Sequence, residues 1–158
     1  MRIVTFGEVL LRFSKDSHMR LSQGNVMNAN FGGSEANAAV SLAMLGNDVR
    51  YVTCLPNNDI GKACKMRLQE LGLDTKHIHW GGERMGTYYF EDSVSIRSPR
   101  IVYDRKGSAF YSLKPGMIDW QKALRGWMCS IARASLVPFL RMPPMQPSRL
   151  CKRQTRWD

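Results

Sequence analysis

The sequence has few of the residues that build metal sites and disulfide frameworks. It contains four cysteines and three histidines in 158 residues, and no two cysteines form a C-x-x-C pair. No histidine follows a cysteine at zinc-finger spacing, so the pattern indicates neither a metal site nor a set of disulfides. We expect the four cysteines to be reduced thiols and the three histidines to have surface or structural roles.

Long apolar runs are absent as well. No stretch of about 18 apolar residues could span a bilayer, and Glu8 comes too early for the apolar core of a secretory signal peptide. The sequence therefore predicts a cytoplasmic protein with no membrane partner. Its length allows one domain with a real core, because a domain near this size buries roughly 70% of the surface that its unfolded chain exposes.

Acidic residues are scarce: 13 stand against 23 lysines and arginines, which gives a net charge of +10. Half of this excess lies in residues 126–158, the last fifth of the chain. Basic residues elsewhere form no stripe with interleaved aromatic residues, which is the usual mark of a nucleic-acid surface. We expect no nucleic-acid partner, and a basic nucleic-acid binder is the alternative that this charge leaves open.

Residues 1–125 have the alternating strands and helices of an α/β fold. Strands are predicted at residues 2–6 and 49–53, and helices from the N-cap Ser34 to Gly46 and over residues 60–71. This order implies a parallel sheet with right-handed crossovers. Shorter strand-like pieces follow the first strand, and two later strands, 87–91 and 100–103, form a predicted β-ribbon that can pair with them.

Two groups of residues have the chemistry of a ligand site. Gly32 and Gly33 precede a helix whose first turn carries Asn37, an arrangement that allows close backbone approach and offers an amide to hydroxyl groups. Tyr103 and Arg105 alternate on the predicted ribbon, so they share one face. A guanidinium beside a phenol suits a sugar acid. By spacing alone, a tight turn and a solvated arginine beside core tyrosines explain these residues equally well or better.

Six separated segments form a pattern along the chain: residues 3–8, the Gly-Gly-Ser-Glu-Ala-Asn helix start, Leu45-Gly46, residues 55–61, residues 71–75 and residues 103–109. In order and spacing they resemble the ribokinase-type (PfkB) carbohydrate kinases. The last segment and Glu35 look specifically like 2-keto-3-deoxygluconate kinases. The resemblance covers residues 1–125 and implies a ribokinase-like α/β fold, with helices on both faces of a parallel sheet and a small β-sheet lid. Pro56 replaces a glycine found in many relatives, which fits the ketodeoxygluconate branch.

The resemblance also implies a site and a reaction. It places Gly33 and Asn37 against sugar hydroxyls, and Tyr88, Tyr103 and Arg105 around the keto-acid end of a small sugar acid. The family's reaction uses ATP and Mg²⁺, and its members often form homodimers through the lid. Kinases for fructose, ribose or a nucleoside are the alternatives within the family.

The family's catalytic element is missing from the sequence. A Gly-Ala-Gly-Asp segment, whose aspartate takes the proton from the sugar hydroxyl, does not occur. We therefore assign no catalytic residue, expect a truncated domain in which the nucleotide site is largely missing, and expect this chain to be inactive alone. A sugar-binding remnant without turnover is the corresponding alternative. Asp104 and Asp119 are interpreted as turn or helix-cap residues.

Residues 126–158 form a second predicted segment, a basic tail without homology to the kinases. Four prolines and six basic residues interrupt any regular period, so composition alone indicates disorder. Trp127 and Met128 each have a single codon, so the neighbouring reading frame must encode Asp-Val at this point. The codon choices of the following residues permit, but do not force, a continuation that resembles the segment Val-Asp-Val-Phe-His-x-Ser-Gly-Ile-Thr of relatives. We hypothesise a one-base shift near codon 126, either genuine or a sequencing error.

Overall fold

The computed structural model describes residues 1–16, 18–127 and 129–132, the last four through their backbone alone. Strands and helices alternate along most of this length. The elements are β1 (Arg2–Phe6), β2 (Leu10–Ser14), β3 (Asn28–Gly32), α1 (Ser34–Met44), β4 (Asp48–Val52), β5 (Cys54–Leu55), α2 (Asp59–Glu70), β6 (Leu73–Asp74), β7 (His79–Trp80), β8 (Thr87–Glu91), β9 (Arg100–Asp104), α3 (Trp120–Leu124) and β10 (Cys129–Ala132).

The central sheet has the strand order β10-β1-β4-β6, and every neighbouring pair in it is parallel. Its two faces carry separate cores. Val49 and Tyr51 belong to the cluster that includes residues of α1 and α2, whereas Phe6 packs edge-to-face against Trp120 of α3, with ring centroids 4.9 Å apart. Helices therefore cover both faces, and the predicted α/β architecture is confirmed.

A second sheet, which we call the lid, has the strand order β3-β2-β8-β9. It consists of two antiparallel hairpins, β2–β3 and β8–β9, joined by a parallel pairing of β2 with β8. The β2 strand begins four residues after β1 ends, so the lid starts beside one end of the central sheet. The predicted pairing of the late ribbon with the segment after the first strand is confirmed.

Helix α1 begins one residue differently from the sequence prediction. Its N-cap is Gly33, and Ser34 lies inside the helix, where its hydroxyl donates to the Glu35 carboxylate at 3.0 Å. Gly33 fits because a Cβ at this position would overlap the carbonyl oxygen of Glu8. The first hydrogen bond of the helix runs from the Asn37 N–H to the Gly33 carbonyl, so the earlier N–H groups have no acceptor within the helix.

Strand β10 was not predicted. It lies within residues 126–158 and pairs with β1 in parallel, Ile3 opposite Cys129 and Phe6 opposite Ala132. The hydrogen-bonding partner of β10 is β1, which lies more than 120 residues earlier in the sequence. The local composition of residues 126–158 therefore does not reveal this strand. Met128 and residues 133–158 lie outside the described residues, so the division of the chain at residue 126 stays a prediction.

Two cysteines lie in the core as free thiols, Cys54 and Cys64. Burial raises the pKa of Cys54 to about 11 and that of Cys64 to about 12. Both remain protonated at neutral pH and act as small apolar residues. Among the described residues, no helix combines the length and the apolar character that crossing a membrane requires.

Candidate functional site

A cleft of about 360 Å³ lies between the lid and the start of α1. Its volume lies within the range of small-molecule sites. The structure brings all five residues of the predicted site to this one cleft, namely Gly33, Asn37, Tyr88, Tyr103 and Arg105.

The lid forms one wall of the cleft. Alternate residues of a strand share a face, and the lining residues of the lid follow this rule on three neighbouring strands. The strand pairing places Arg12 opposite Tyr88, and Tyr88 opposite Tyr103. The two tyrosine rings lie 5.7 Å apart. This wall therefore carries one row of a guanidinium and two phenols, which we call the lid row.

The start of α1 forms the opposite wall, through the backbone of Gly33 and the side chains of Ser34, Glu35 and Asn37. The Tyr88 hydroxyl lies 3.4 Å from the point that a Cβ on Gly32 would occupy, and the Asn37 Oδ1 atom lies 3.8 Å from it. Tyr88 thus reaches across from the lid to the glycine pair. A ligand here meets backbone amides, an amide side chain and a phenol within a short span.

A buried carboxylate connects the lid to the central domain. Glu8 follows β1, its side chain is 6% exposed, and it accepts a 2.6 Å hydrogen bond from Arg105 Nε. Its other oxygen accepts from the Ser108 hydroxyl at 2.8 Å. Gly86 lies against this carboxylate, since a Cβ there would come within 2.6 Å of Glu8 Oε1. Glu8 therefore fixes the position of Arg105 and compensates its charge.

Tyr51 supports the loop that carries Glu8. Its side chain is fully buried, and its hydroxyl donates to the Gly7 carbonyl at 3.0 Å. Burial, followed by the negative charge of Glu35, raises the pKa of Tyr51 well above its ordinary value. The phenol therefore stays protonated at neutral pH and donates this hydrogen bond.

Sequence reasoning did not assign three charged residues of the cleft to the site, namely Glu8, Arg12 and Glu35. Glu8 was part of a resembling segment but received no role, since its partner Arg105 lies 97 residues later. Arg12 had a local signal: it follows Leu10 by two residues on a short strand, and both line the cleft. The alternation of Leu10 and Arg12 identifies a shared strand face, but it does not show that this face lines the cleft.

The two other aspartates considered in the sequence have structural roles. Asp119 is the N-cap of α3 and accepts from the Lys122 N–H at 3.1 Å. This hydrogen bond is the main cause of the lowered pKa of Asp119, and the cap prediction is confirmed. Asp104 is half-exposed and pairs with Arg84 at 2.6 Å. Among the residues that the structure describes, no three His, Cys, Asp or Glu side chains converge on a metal position.

A parallel α/β domain with a β-sheet lid beside a polar cleft is the ribokinase-like architecture. The chain matches the model of the pfkB family carbohydrate kinases over residues 1–138 and belongs to that family. The match extends beyond residue 126, and it includes every element described above.

Named relatives share this family. The chain is 28% identical to the 2-dehydro-3-deoxygalactonokinase of Haloferax volcanii over 114 residues, 72% of this chain and 36% of the relative. It is 30% identical to the 5-dehydro-2-deoxygluconokinase of Clostridium beijerinckii over 122 residues, 75% of this chain and 36% of the relative. The crystal structure of 2-dehydro-3-deoxygluconokinase from Thermotoga maritima is similar, with a TM-score of 0.81 and 41% identity.

The chain is much shorter than these relatives. The similarity to the Thermotoga maritima structure covers 84% of this chain but 40% of that one. The chain also spans little more than a third of the length of the curated relatives it matches.

Proposed function

We propose that this chain forms the sugar-binding part of an ATP-dependent kinase that phosphorylates 2-keto-3-deoxygluconate or a related sugar acid. One observation carries the proposal: residues that the family resemblance assigns to the sugar lie around a single cleft, although they come from the N-cap and first turn of α1, from β8, and from β9 and the residue after it. The names of the three relatives reported above also describe kinases of sugar acids.

The cleft supplies the groups that such a ligand needs. The backbone at Gly33 and the amide of Asn37 suit sugar hydroxyls, which both donate and accept hydrogen bonds. Tyr88 and Tyr103 offer hydroxyls together with apolar ring faces for the carbon chain. Arg105 adds donors for a keto or carboxylate oxygen. We therefore assign these five residues to sugar binding.

Phosphoryl transfer needs more than this cleft. Positioning and electrostatics do nearly all the work in this reaction, and the sequence contains no Gly-Ala-Gly-Asp segment to supply them. ATP and Mg²⁺ therefore belong to the proposed reaction of the family, and the proposal for these 158 residues is sugar binding without turnover.

The test is a thermal melt of the 158-residue chain with 2-keto-3-deoxygluconate, beside a coupled ADP-release assay with magnesium and ATP. Ligand at about 100 times its Kd should stabilise the fold by about 2.7 kcal/mol, which raises the Tm by roughly 5–10 °C. Tyr88→Phe should reduce this shift because it removes a hydroxyl in the cleft. No ADP release is expected.

Tyr111→Phe is the matched control, because Tyr111 is 70% exposed and does not line the cleft. It should leave the ligand-induced shift unchanged. The proposal fails if the sugar acid does not stabilise the parent chain, or if both tyrosine variants respond alike. Clear ADP release would contradict the expectation of an inactive chain.

A neutral sugar is the second candidate, and one contact favours it. Glu8 already compensates the charge of Arg105, so Arg105 does not by itself demand an acidic ligand. Stabilisation by D-fructose or D-ribose that exceeds stabilisation by the sugar acid would support this candidate.

A cytoplasmic location and a homodimer through the lid stay predictions. The outer lid face carries Phe13 and Tyr89, whose rings stack at 5.6 Å, and an exposed Val102.

We also keep the shifted reading frame near codon 126 as a proposal. The expected result of sequencing the gene across this codon and beyond is kinase-like sequence in the neighbouring frame, beginning with the forced Asp-Val. An in-frame stop soon after Asp158, with no kinase sequence in the other frame, would contradict it.

A further inference from the structure

The charges of the cleft are unequally compensated. Four charged residues line it, namely Glu8, Arg12, Glu35 and Arg105. Glu8 and Arg105 form a hydrogen-bonded ion pair, so their charges largely cancel. The guanidinium of Arg12 lies near no carboxylate at ion-pair distance among the described residues. Among the described residues, the cleft therefore contains one cation, Arg12, and one anion, Glu35, that take part in no ion pair.

Arg12 is also incompletely hydrogen-bonded. Its Nε atom is buried and has no hydrogen-bond partner in the described part of the chain. Its guanidinium carbon lies 5.9 Å from the centroid of the Phe90 ring, an apolar neighbour that compensates little of its charge. A buried, unsatisfied donor on a charged group is costly to the folded state. Arg12 nevertheless lines the cleft, so an anionic ligand there would supply a counter-charge to its guanidinium.

Glu35 sets the direction in which an acidic ligand would lie. It occupies the first turn of α1, where the helix dipole favours negative charge, and it accepts from the Ser34 hydroxyl. Its carboxylate therefore repels a ligand carboxylate from the helix wall and suits sugar hydroxyls instead. The lid wall, with Arg12 opposite Tyr88 in the lid row, offers the opposite charge.

From these contacts we propose that Arg12 binds the carboxylate of the sugar acid and is the residue that selects an acidic over a neutral sugar. This inference rests on the proposed function. Arg105, fixed by Glu8, then contributes hydrogen bonds to either kind of sugar. The lid row provides the acid end of the site, with the phenols of Tyr88 and Tyr103 beside the guanidinium.

The experiment titrates 2-keto-3-deoxygluconate and D-fructose into the parent 158-residue chain, Arg12→Gln and Arg12→Lys by calorimetry. Loss of a charged hydrogen bond should weaken binding of the acid by Arg12→Gln roughly 10- to 100-fold, while fructose binding stays unchanged. Arg12→Lys should lose less, because it keeps the charge but not the planar fork of donors. The ligand-free Tm of Arg12→Lys should not fall, since a methylene group takes the place of the unsatisfied buried Nε.

Each other outcome overturns a defined part of this inference. If the parent chain binds neither sugar, the proposed function fails and the role of Arg12 fails with it. If the parent binds the acid and Arg12→Gln binds it equally well, only the role of Arg12 is wrong. If the Arg12 variants melt below the parent without ligand and lose equal affinity for both sugars, Arg12 has a structural role. Inorganic phosphate is titrated in parallel, and Arg12-dependent binding of phosphate that is tighter than that of the acid would overturn the carboxylate assignment.

Discussion

A Glu8→Ala variant should melt roughly 6–12 °C below the parent chain, which corresponds to a loss of about 3 kcal/mol for a domain near this size. The Glu8 carboxylate is 6% exposed and holds two donors, Arg105 and Ser108. Removing it leaves the Arg105 guanidinium without its counter-charge and takes an acceptor from the buried Ser108 hydroxyl. The loss lies at the lower end for a broken buried ion pair, because Arg105 is 40% exposed and can be partly rehydrated.

Glu70→Ala is the matched control, since it removes the same carboxylate from an exposed ion pair. Glu70 lies 3.0 Å from Arg67, and both side chains are more than half exposed, so the variant should lose at most about 1 kcal/mol. Chemical denaturation of both variants measures the two losses. Equal losses would mean that the buried contacts of Glu8 contribute no more than a surface pair. The sugar acid should also bind more weakly to Glu8→Ala, because Arg105 loses its fixed position.

The regular elements were largely predictable because their signals are local. The strands at Arg2–Phe6 and Thr87–Glu91 have the bounds that the sequence indicates, since both are short runs rich in apolar or aromatic residues between polar ones. The end of α1 was equally clear: Gly46 follows the helix with a φ of 80°, a left-handed conformation that glycine adopts readily. These features depend on neighbouring residues alone.

The chemistry of the cleft was only half predictable, because it depends on pairings between distant segments. The lid row exists because β2 pairs with β8 in one register, which places Arg12 beside Tyr88, 76 positions later. A shift of that register by one residue would move Arg12 opposite a side chain of the other face. Nothing local to either strand determines this register. Family resemblance supplied Tyr88, Tyr103 and Arg105, but it supplied no role for Arg12 or Glu8.

The structure also changes the role expected of Arg105. The sequence presents Arg105 as a free guanidinium beside a phenol, and its spacing from Tyr103 suggests a carboxylate ligand. In the fold, its guanidinium lies 6.0 Å from the Tyr103 ring, as that spacing implies, but its charge is already matched by Glu8. The choice between Arg12 and Arg105 as the residue that selects an acidic ligand therefore depends on the ion pair between Glu8 and Arg105. A single sequence does not reveal an ion pair between such distant residues.

Gly33→Ala is expected to reduce sugar affinity roughly 10- to 100-fold, because displacement of the start of α1 would break about two hydrogen bonds to the sugar, each worth about 0.5–1.5 kcal/mol. A Cβ on Gly33 would overlap the carbonyl oxygen of Glu8, so α1 and the segment after β1 must separate. The backbone at Gly33 is extended, with a φ of 169°, which alanine adopts without strain. The whole effect is therefore steric, and overpacking of this kind also costs about 1–3 kcal/mol of stability.

Gly81→Ala separates this effect from the general cost of adding a methyl group. A Cβ on Gly81 would meet only the His79 ring, at 3.5 and 3.6 Å, which are ordinary contact distances, and Gly81 does not line the cleft. Calorimetric titration with 2-keto-3-deoxygluconate should show near-parental affinity for Gly81→Ala and a severe loss for Gly33→Ala. Similar affinities in the two variants would mean that the close approach of Glu8 to the start of α1 does not shape the sugar site. The separation of the two walls is the critical dimension, because Tyr88 and Asn37 must reach one ligand from opposite sides.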